Sequence, residues 1–400
     1  MPHRADVPAL LTGLMATLAG IGVARFAYTA LLPAIIQDGW FGASQAAYLG
    51  AANLLGYLIG ALSGHTLSER FPARRIIALS FAGIVLSFLL CAVPGSFAWF
   101  FVWRLVSGVA GAILMVVGPS LALMATAPDR RKTVGALVFT GIGLGALLSA
   151  TIVPVLLEIG PTAAWLALGG LCLVAGVACD RGLAHLPARQ DPAASTLDGT
   201  ARHAGSAVVV LVIAAYALDA VGFVPHTVFW VDYLAREADL GTPAASLQWA
   251  AFGVGAILGP LVAGVSARHM GWQSSLALAY LLKATAVAIP LISIAFLPRT
   301  LSSLMVGAMI PGIVALTSGR LAELVGPKDH KRLWGRATAA FALAQALSGY
   351  GMSGLYDRLD TYAPLFALGS LALAVGLVLI LLSPRMDRHA VKRPLSIRRP

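Results

Sequence analysis

Charge is scarce in this sequence. Only 11% of its 400 residues are Asp, Glu, Lys or Arg, where a soluble domain carries about 25%. Apolar residues make up 58%. The polar surface is too small to solvate a globule of this length, which excludes one large soluble core. Cysteine is nearly missing. Cys91, Cys172 and Cys179 stand alone in apolar runs, without the paired spacing of a disulfide framework or a metal site. They read as small packing residues. No Gly-Lys-Ser/Thr step follows a glycine-rich turn, and there is no His-Glu-x-x-His. Paired acids deep in the apolar runs are also missing. The chain therefore reads as having no catalytic residues, no metal site and no cofactor, and not as an enzyme.

What is present is apolar sequence in long pieces. Twelve spans are predicted, at roughly 8–37, 44–69, 74–94, 97–127, 133–157, 162–181, 206–234, 243–267, 272–296, 299–325, 333–357 and 361–383, each long enough to cross a bilayer. The fold class is thus an all-α membrane protein. One gap is long, "RGLAHLPARQDPAASTLDGTARHAG", and it falls between spans six and seven. The expected organisation is an N-terminal six-helix bundle (1–181), a linker (182–205), a C-terminal six-helix bundle (206–384) and a basic tail (385–400).

The net charge of +11 invites a nucleic-acid reading. The distribution argues against it. Arg70, Arg74, Arg75, Arg130, Arg131, Lys132, Arg268, Lys328, Lys331 and Arg332 share one side with the linker and the tail. The opposite loops carry Arg236, Arg299 and Arg358. The positive-inside rule then places the basic side and both termini in the cytoplasm; the membrane expected for the chain is a bacterial cytoplasmic (inner) membrane. Trp40, Trp99, Trp103, Trp230 and Tyr233 form the interface belt expected on the other side. The implied partners are the lipid bilayer and a small-molecule substrate, with the chain working as a monomer.

The two parts of the chain also resemble each other. "AANLLGYLIGAL" (51–62) aligns with "AAFGVGAILGPL" (250–261), pairing Gly56 with Gly255 and Gly60 with Gly259. "DRRKTVG" (129–135) aligns with "DHKRLWG" (329–335). A common offset of about 200 residues, with a linker at its midpoint, is the mark of two parallel repeats.

Three stretches resemble the major facilitator superfamily. The loop "GHTLSERFPARR" (64–75) is similar to that family's GxLaDRxGRR loop, with Glu69 for the acid and Arg70, Arg74 and Arg75 for the basic positions. "GVSARHMG" (264–271) is its counterpart after span eight, and "RLVSGVAG" (104–111) is similar to the RxxxG stretch of span four. "GVARFAYTALLP" followed by "AANLLGYLIGAL" resembles the YbfB/YjiJ-type branch. The resemblance implies a twelve-helix secondary transporter of two pseudo-symmetric bundles, with helices one, four, seven and ten around a central cavity. It also implies a cytoplasmic gate that includes Glu69, Arg70 and Arg74. The Gly-Pro motif of antiporters is missing from span five, which reads "TGIGLGALLSA". Small residues on helices two and five would let the halves rock; static packing within one half is the alternative.

Against this background a few polar residues stand out. Arg25 interrupts an apolar span, where a charge costs about 2.5–3.5 kcal/mol. By rise per residue it lies ~12 Å below the aromatic side, Arg104 ~10 Å, and His226 about as deep. Three cationic groups in one layer of a cavity suit an anion, because a guanidinium fork matches carboxylate or phosphate. Tyr28, one turn from Arg25, and Asn53, Tyr48 and Tyr57 on span two offer further polar contacts. A structural role, with carbonyls satisfying the guanidinium, is the alternative for both arginines. Asp219 is the acid nearest mid-membrane, and Tyr216 and His226 share its helix face. A lone carboxylate there can exchange protons, which points to a proton gradient as the energy source; permanent pairing with an arginine is the alternative. Lys283, in span nine, receives no role. Arg320 and Glu323, three apart in span ten, complete the expected gate; a plain surface ion pair is the alternative. The function these residues point to is proton-coupled transport of a small organic anion. Efflux of a neutral or apolar compound, with structural arginines, is the rival.

Overall fold

The computed structural model describes residues 4–127, 129–186 and 206–391. Most of the predicted linker and the end of the basic tail lie outside the described residues. Every regular element among the described residues is helical. The first seven are α1 (Arg4–Gln37), α2 (Ala43–Arg70), α3 (Ala73–Leu90), α4 (Phe97–Met124), α5 (Arg131–Leu157), α6 (Pro161–Ala184) and α7 (Ala207–Glu237). Gly241–Ile292 is one helical run broken at Gly271, whose φ of 78° reverses the chain. Its arms are α8 and α9. Gly326, with φ 75°, breaks Phe296–Leu359 in the same way into α10 and α11. Such angles are open to glycine at no steric cost. Ala363–Val391 is α12.

Ten candidate spans among the described residues are long and apolar enough to cross a membrane. One of them is the broken α8–α9 run. The arm after Gly326 is more polar and falls outside the ten. These helices agree with the expected all-α membrane fold.

The repeat glycines mark where backbones touch. A Cβ on Gly56 or Gly60 would overlap the carbonyl oxygens of Leu105 and Val109 on α4. Gly255 and Gly259 meet Leu304 and Ala308 on α10 in the same manner. The expectation that the α2 glycines serve motion between halves is therefore corrected: they hold α2 against α4 within one half. Close backbone approach is what small residues provide when no hydrophobic force separates helix from lipid. Across the halves, Gly143 of α5 meets the backbone of Gly253 and Ile257 on α8, and Gly349 of α11 meets Leu54 on α2.

Both long central helices are interrupted. α1 widens into a π turn at Leu18–Val23, immediately before Arg25. α7 does so at Pro225–Phe229 and again at Tyr233–Glu237. Pro225 has no N–H to continue the ladder. Irregular backbone at membrane depth is tolerated where protein or a water-filled cavity surrounds it.

Candidate functional site

A cavity of about 1520 Å³ opens between the halves. Its wall draws on α1, α2, α3, α4, α5, α7, α8, α10 and α11. Ser68, Ala73, Ala125, Arg131, Ser318 and His330 line its outer part, so its mouth faces the side that carries the basic loops. The far end is shut by contacts from one half to the other. Phe26 packs edge-on against Trp249 and Phe252, with ring centroids 5.6 and 5.5 Å apart. The Thr29 hydroxyl donates to the carbonyl of Thr227. Trp249 Nε1 donates to Ser149 Oγ at 3.2 Å.

Arg25 reaches this cavity from the break in α1. Its guanidinium lies 4.4 Å above the Tyr57 ring and 5.6 Å from that of Phe223. Nη2 donates to Gln345 Oε1 at 3.1 Å, a bond from α1 to α11. The ion pairs among the described residues join Arg74 to Asp180, Arg130 to Asp6, Arg236 to Asp232, Lys283 to Asp219 and Arg320 to Glu323. Arg25 has no carboxylate among them. Tyr57, Tyr216, Phe223, Trp334 and Phe341 share the cavity wall with it. Tyr216 stacks on Trp334 at 5.6 Å and packs on Phe341 at 4.7 Å.

Tyr57 joins Arg25 on the wall, but Arg104, Tyr28, Asn53, Tyr48 and His226 do not. Arg104 is turned into its own half, where Nη1 donates to the Ala24 carbonyl at 3.0 Å. Its guanidinium covers the Tyr28 ring at 4.2 Å. That carbonyl borders the break in α1, so Arg104 satisfies a backbone group the helix does not. Tyr28 donates its hydroxyl to the Ala46 carbonyl at 2.8 Å. Asn53 Nδ2 donates to the Arg104 carbonyl at 3.3 Å. His226 is fully buried with Nε2 2.9 Å from Ser302 Oγ and its ring stacked on Trp230 at 4.6 Å. The shared cationic layer is thus corrected to a single cation. Helix depth is common to these residues, but helix rotation turns three of the side chains into packing and His226 toward α10.

Asp219 is not a lone carboxylate either. Lys283 Nζ lies 2.6 Å from its Oδ1, and both side chains are sealed from solvent. The partner is the span-nine lysine, not an arginine from across the interface. Tyr216 reaches the cavity while Asp219 and His226 do not, so the expected row along α7 is divided. Of the expected gate, Arg320 pairs with Glu323 on its own helix at 2.5 Å. Arg74 pairs with Asp180 of α6 through two bonds, Nε at 2.7 Å and Nη2 at 2.8 Å. Both pairs stay within one half, because the mouth separates the halves on this side. Glu69 and Arg70 are exposed there. The residues that sequence reasoning passed over are Gln345, Lys283 and, on the aromatic wall, Phe223, Trp334 and Phe341. Gln345 is a single amide in the apolar stretch "FALAQALSG", a signal of the same kind as Arg25.

Comparison with known proteins supplies a frame for this geometry. Residues 17–381 match the family model described as "Uncharacterised MFS-type transporter YbfB". A 185-residue stretch is 30% identical to "Uncharacterized transporter YgaY" of Escherichia coli O157:H7, covering 46% of each chain. A 144-residue stretch is 32% identical to the "3-(3-hydroxy-phenyl)propionate transporter" of Escherichia coli K12, covering 36% of this chain and 34% of the relative. These alignments span less than half the length of those relatives. The fold matches a crystal structure of the peptide transporter POT with a TM-score of 0.73 at 15% identity, over 94% of this chain and 95% of the other.

Proposed function

The chain belongs to the MFS-type transporter family, and from that premise we propose that it carries a small organic anion, an aromatic carboxylate, by proton-coupled alternating access. One observation carries the anion reading: Arg25, a permanent cation, sits on the cavity wall without an acid beside it. A buried charge lacking a partner is costly, and a carboxylate guest would supply that partner. Tyr57, Tyr216, Phe223, Trp334 and Phe341 favour a flat apolar body behind the carboxylate. The relative whose name specifies 3-(3-hydroxy-phenyl)propionate is a transporter of that chemical kind.

Proton coupling rests on Asp219. Protonating it would release Lys283, and one buried pair exchanging a proton would link a gradient to movement of α7 against α9. Glu69, Arg70, Arg74, Arg320 and Glu323 line the side where the mouth must close, and they serve as the gate. The basic loops and both termini face the cytoplasm of a bacterial cell, the chain lies in its inner membrane, and it works there as a monomer without cofactor or enzymatic activity. The rival reading, efflux of a neutral compound, is favoured by the apolar character of most of the wall.

Counterflow in proteoliposomes separates the two. Wild type should exchange 3-phenylpropionate much faster than 3-phenylpropionamide, and Arg25→Met should lose the exchange of the acid. Equal exchange of the amide, unchanged in Arg25→Met, overturns the anion reading in favour of a neutral cargo. Asp219→Asn should still exchange label yet fail to concentrate it against a pH gradient; concentration by that variant removes the proton step.

A further inference from the structure

Trp334, Thr338 and Phe341 line the cavity at steps of four and three along α11. Gln345 continues that stripe by one more turn toward the closed end. It is fully buried. Its Oε1 accepts the Arg25 Nη2 bond, but its Nε2 has no partner. Arg25 Nε has none either. Two sealed N–H donors thus lie on adjoining side chains from opposite halves, beside the cavity. Nε of Arg104, Arg299 and Arg320 and Nε2 of Gln248 are also unpartnered; the Arg25–Gln345 pair is set apart by its place, where both donors call for an acceptor beside the cavity.

The geometry of the fork says which acceptor. Among the described residues, two arginines hold a carboxylate through both bonds. Arg74 presents Nε and Nη2 together to Asp180, at 2.7 and 2.8 Å. Arg236 presents the same edge to Asp232, at 2.6 and 2.5 Å. Arg25 offers Nη2 to the Gln345 amide oxygen and leaves Nε unmatched. The amide oxygen therefore occupies one of the two oxygen positions that a carboxylate takes on such an edge.

We propose that Gln345 is a specificity-determining residue of the cargo site, a place-holder whose carbonyl yields the Arg25 fork to the cargo carboxylate and whose amide N–H then binds it. The proposal rests on the anion reading above. The incoming carboxylate accepts from Arg25 Nε and Nη2 with its two oxygens. The freed amide rotates and donates Nε2–H to one of them, since a carboxylate oxygen has lone pairs to spare. The cargo then bridges α1 and α11, and through them the two halves. A neutral amide cargo cannot do this as well, because its NH₂ group faces the arginine donors.

Two substitutions and two ligand series test this on the purified full-length chain. Binding is read from the fluorescence of Trp334 and the other tryptophans, using arylalkanoates from benzoate to 4-phenylbutyrate and their primary amides. Wild type should prefer an acid to its amide. Gln345→Glu sets a resident carboxylate on the fork and should lower acid affinity at least a hundredfold while amide affinity stays within threefold. Retained amide binding shows that this variant is folded. Gln345→Met keeps the volume without the donor and should cost the acid about tenfold. If wild type prefers the acid and both variants bind it as wild type does, Gln345 has no part in recognition and the anion reading stands. If wild type binds no acid, or binds acid and amide alike, the anion reading falls and takes this inference with it.

Discussion

The two halves of this molecule hold their deeply buried cations in different ways. The C-terminal half buries Lys283 and neutralises it with Asp219 at 2.6 Å. The N-terminal half buries Arg25 and Arg104, 6% and 1% exposed, and neither has a carboxylate among the described ion pairs. It relies on one carbonyl, one amide and the faces of Tyr28, Tyr57 and Phe223. A lysine ammonium is a compact charge that a single acid can match. A guanidinium is flat and more weakly hydrated, so ring faces and carbonyls can hold it. The consequence is electrical: the C-terminal site is closed and neutral, while the N-terminal site keeps a net positive charge that faces the cavity.

That contrast breaks most visibly at the closed site. Lys283→Met strands the buried Asp219 carboxylate without its cation. Removing one partner of a buried pair costs about 3–5 kcal/mol, so the detergent-solubilised variant should melt far below wild type. Replacing both partners, as in Lys283→Met with Asp219→Leu, should recover most of that loss, since an apolar substitute of similar volume is often neutral. A double variant as unstable as the single one shows that the two sites are not an energetic pair. Next in size is Arg104. Arg104→Met should cost about 1.5–3 kcal/mol, the worth of a hydrogen bond to a charged group, because the Ala24 carbonyl loses its shorter donor and keeps Ser107 Oγ at 3.5 Å. Thermal melting should show this loss with anion affinity intact in the surviving fold. A selective loss of anion affinity instead would return Arg104 to the cargo site.

The sequence makes depth and period legible, and it leaves rotation hidden. Long apolar runs give the spans, and the Gly56–Gly255 and Gly60–Gly259 register gives the two matched packings of α2 on α4 and α8 on α10. Arg25 is legible because a charge in hydrocarbon demands a reason. Arg104 looks the same by that criterion. What separates them is which way each helix is turned, a property of its neighbours. Lys283 and Asp219 are 64 residues apart, and Arg25 and Gln345 are 320 apart. Each therefore reads as solitary. The π turn before Arg25 has no proline to announce it, whereas Pro225 does mark the one in α7.

A smaller effect tests whether the halves are built alike where they are alike in sequence. Gly56→Ala and Gly255→Ala each push a methyl into the carbonyl of the facing helix, at Leu105 and Leu304. Overpacking of this kind costs about 1–3 kcal/mol, and the two variants should lose stability equally within about 0.5 kcal/mol. A loss confined to one of them would show that the repeat is held by different forces in its two copies.

The smallest effect on stability is expected at the residue that matters most for cargo. Arg25→Met removes a charge that no acid offsets, which is a gain, and leaves Gln345 Oε1 without its donor, which is a loss. The two are of similar size, so melting should move by no more than about 1 kcal/mol in either direction. The same substitution should abolish discrimination between an aryl acid and its amide. Arg25→Lys is the sharper probe. It restores the charge but not the two-pronged edge, so some attraction for anions should return without the preference for a planar carboxylate over a monovalent halide. A guanidinium retained for packing would show the reverse: a large fall in melting temperature on Arg25→Met, nearly repaired by lysine, with ligand preference indifferent to both. The comparison with Arg104 then stands or falls on one pair of curves, since the two arginines should exchange roles between the stability assay and the binding assay.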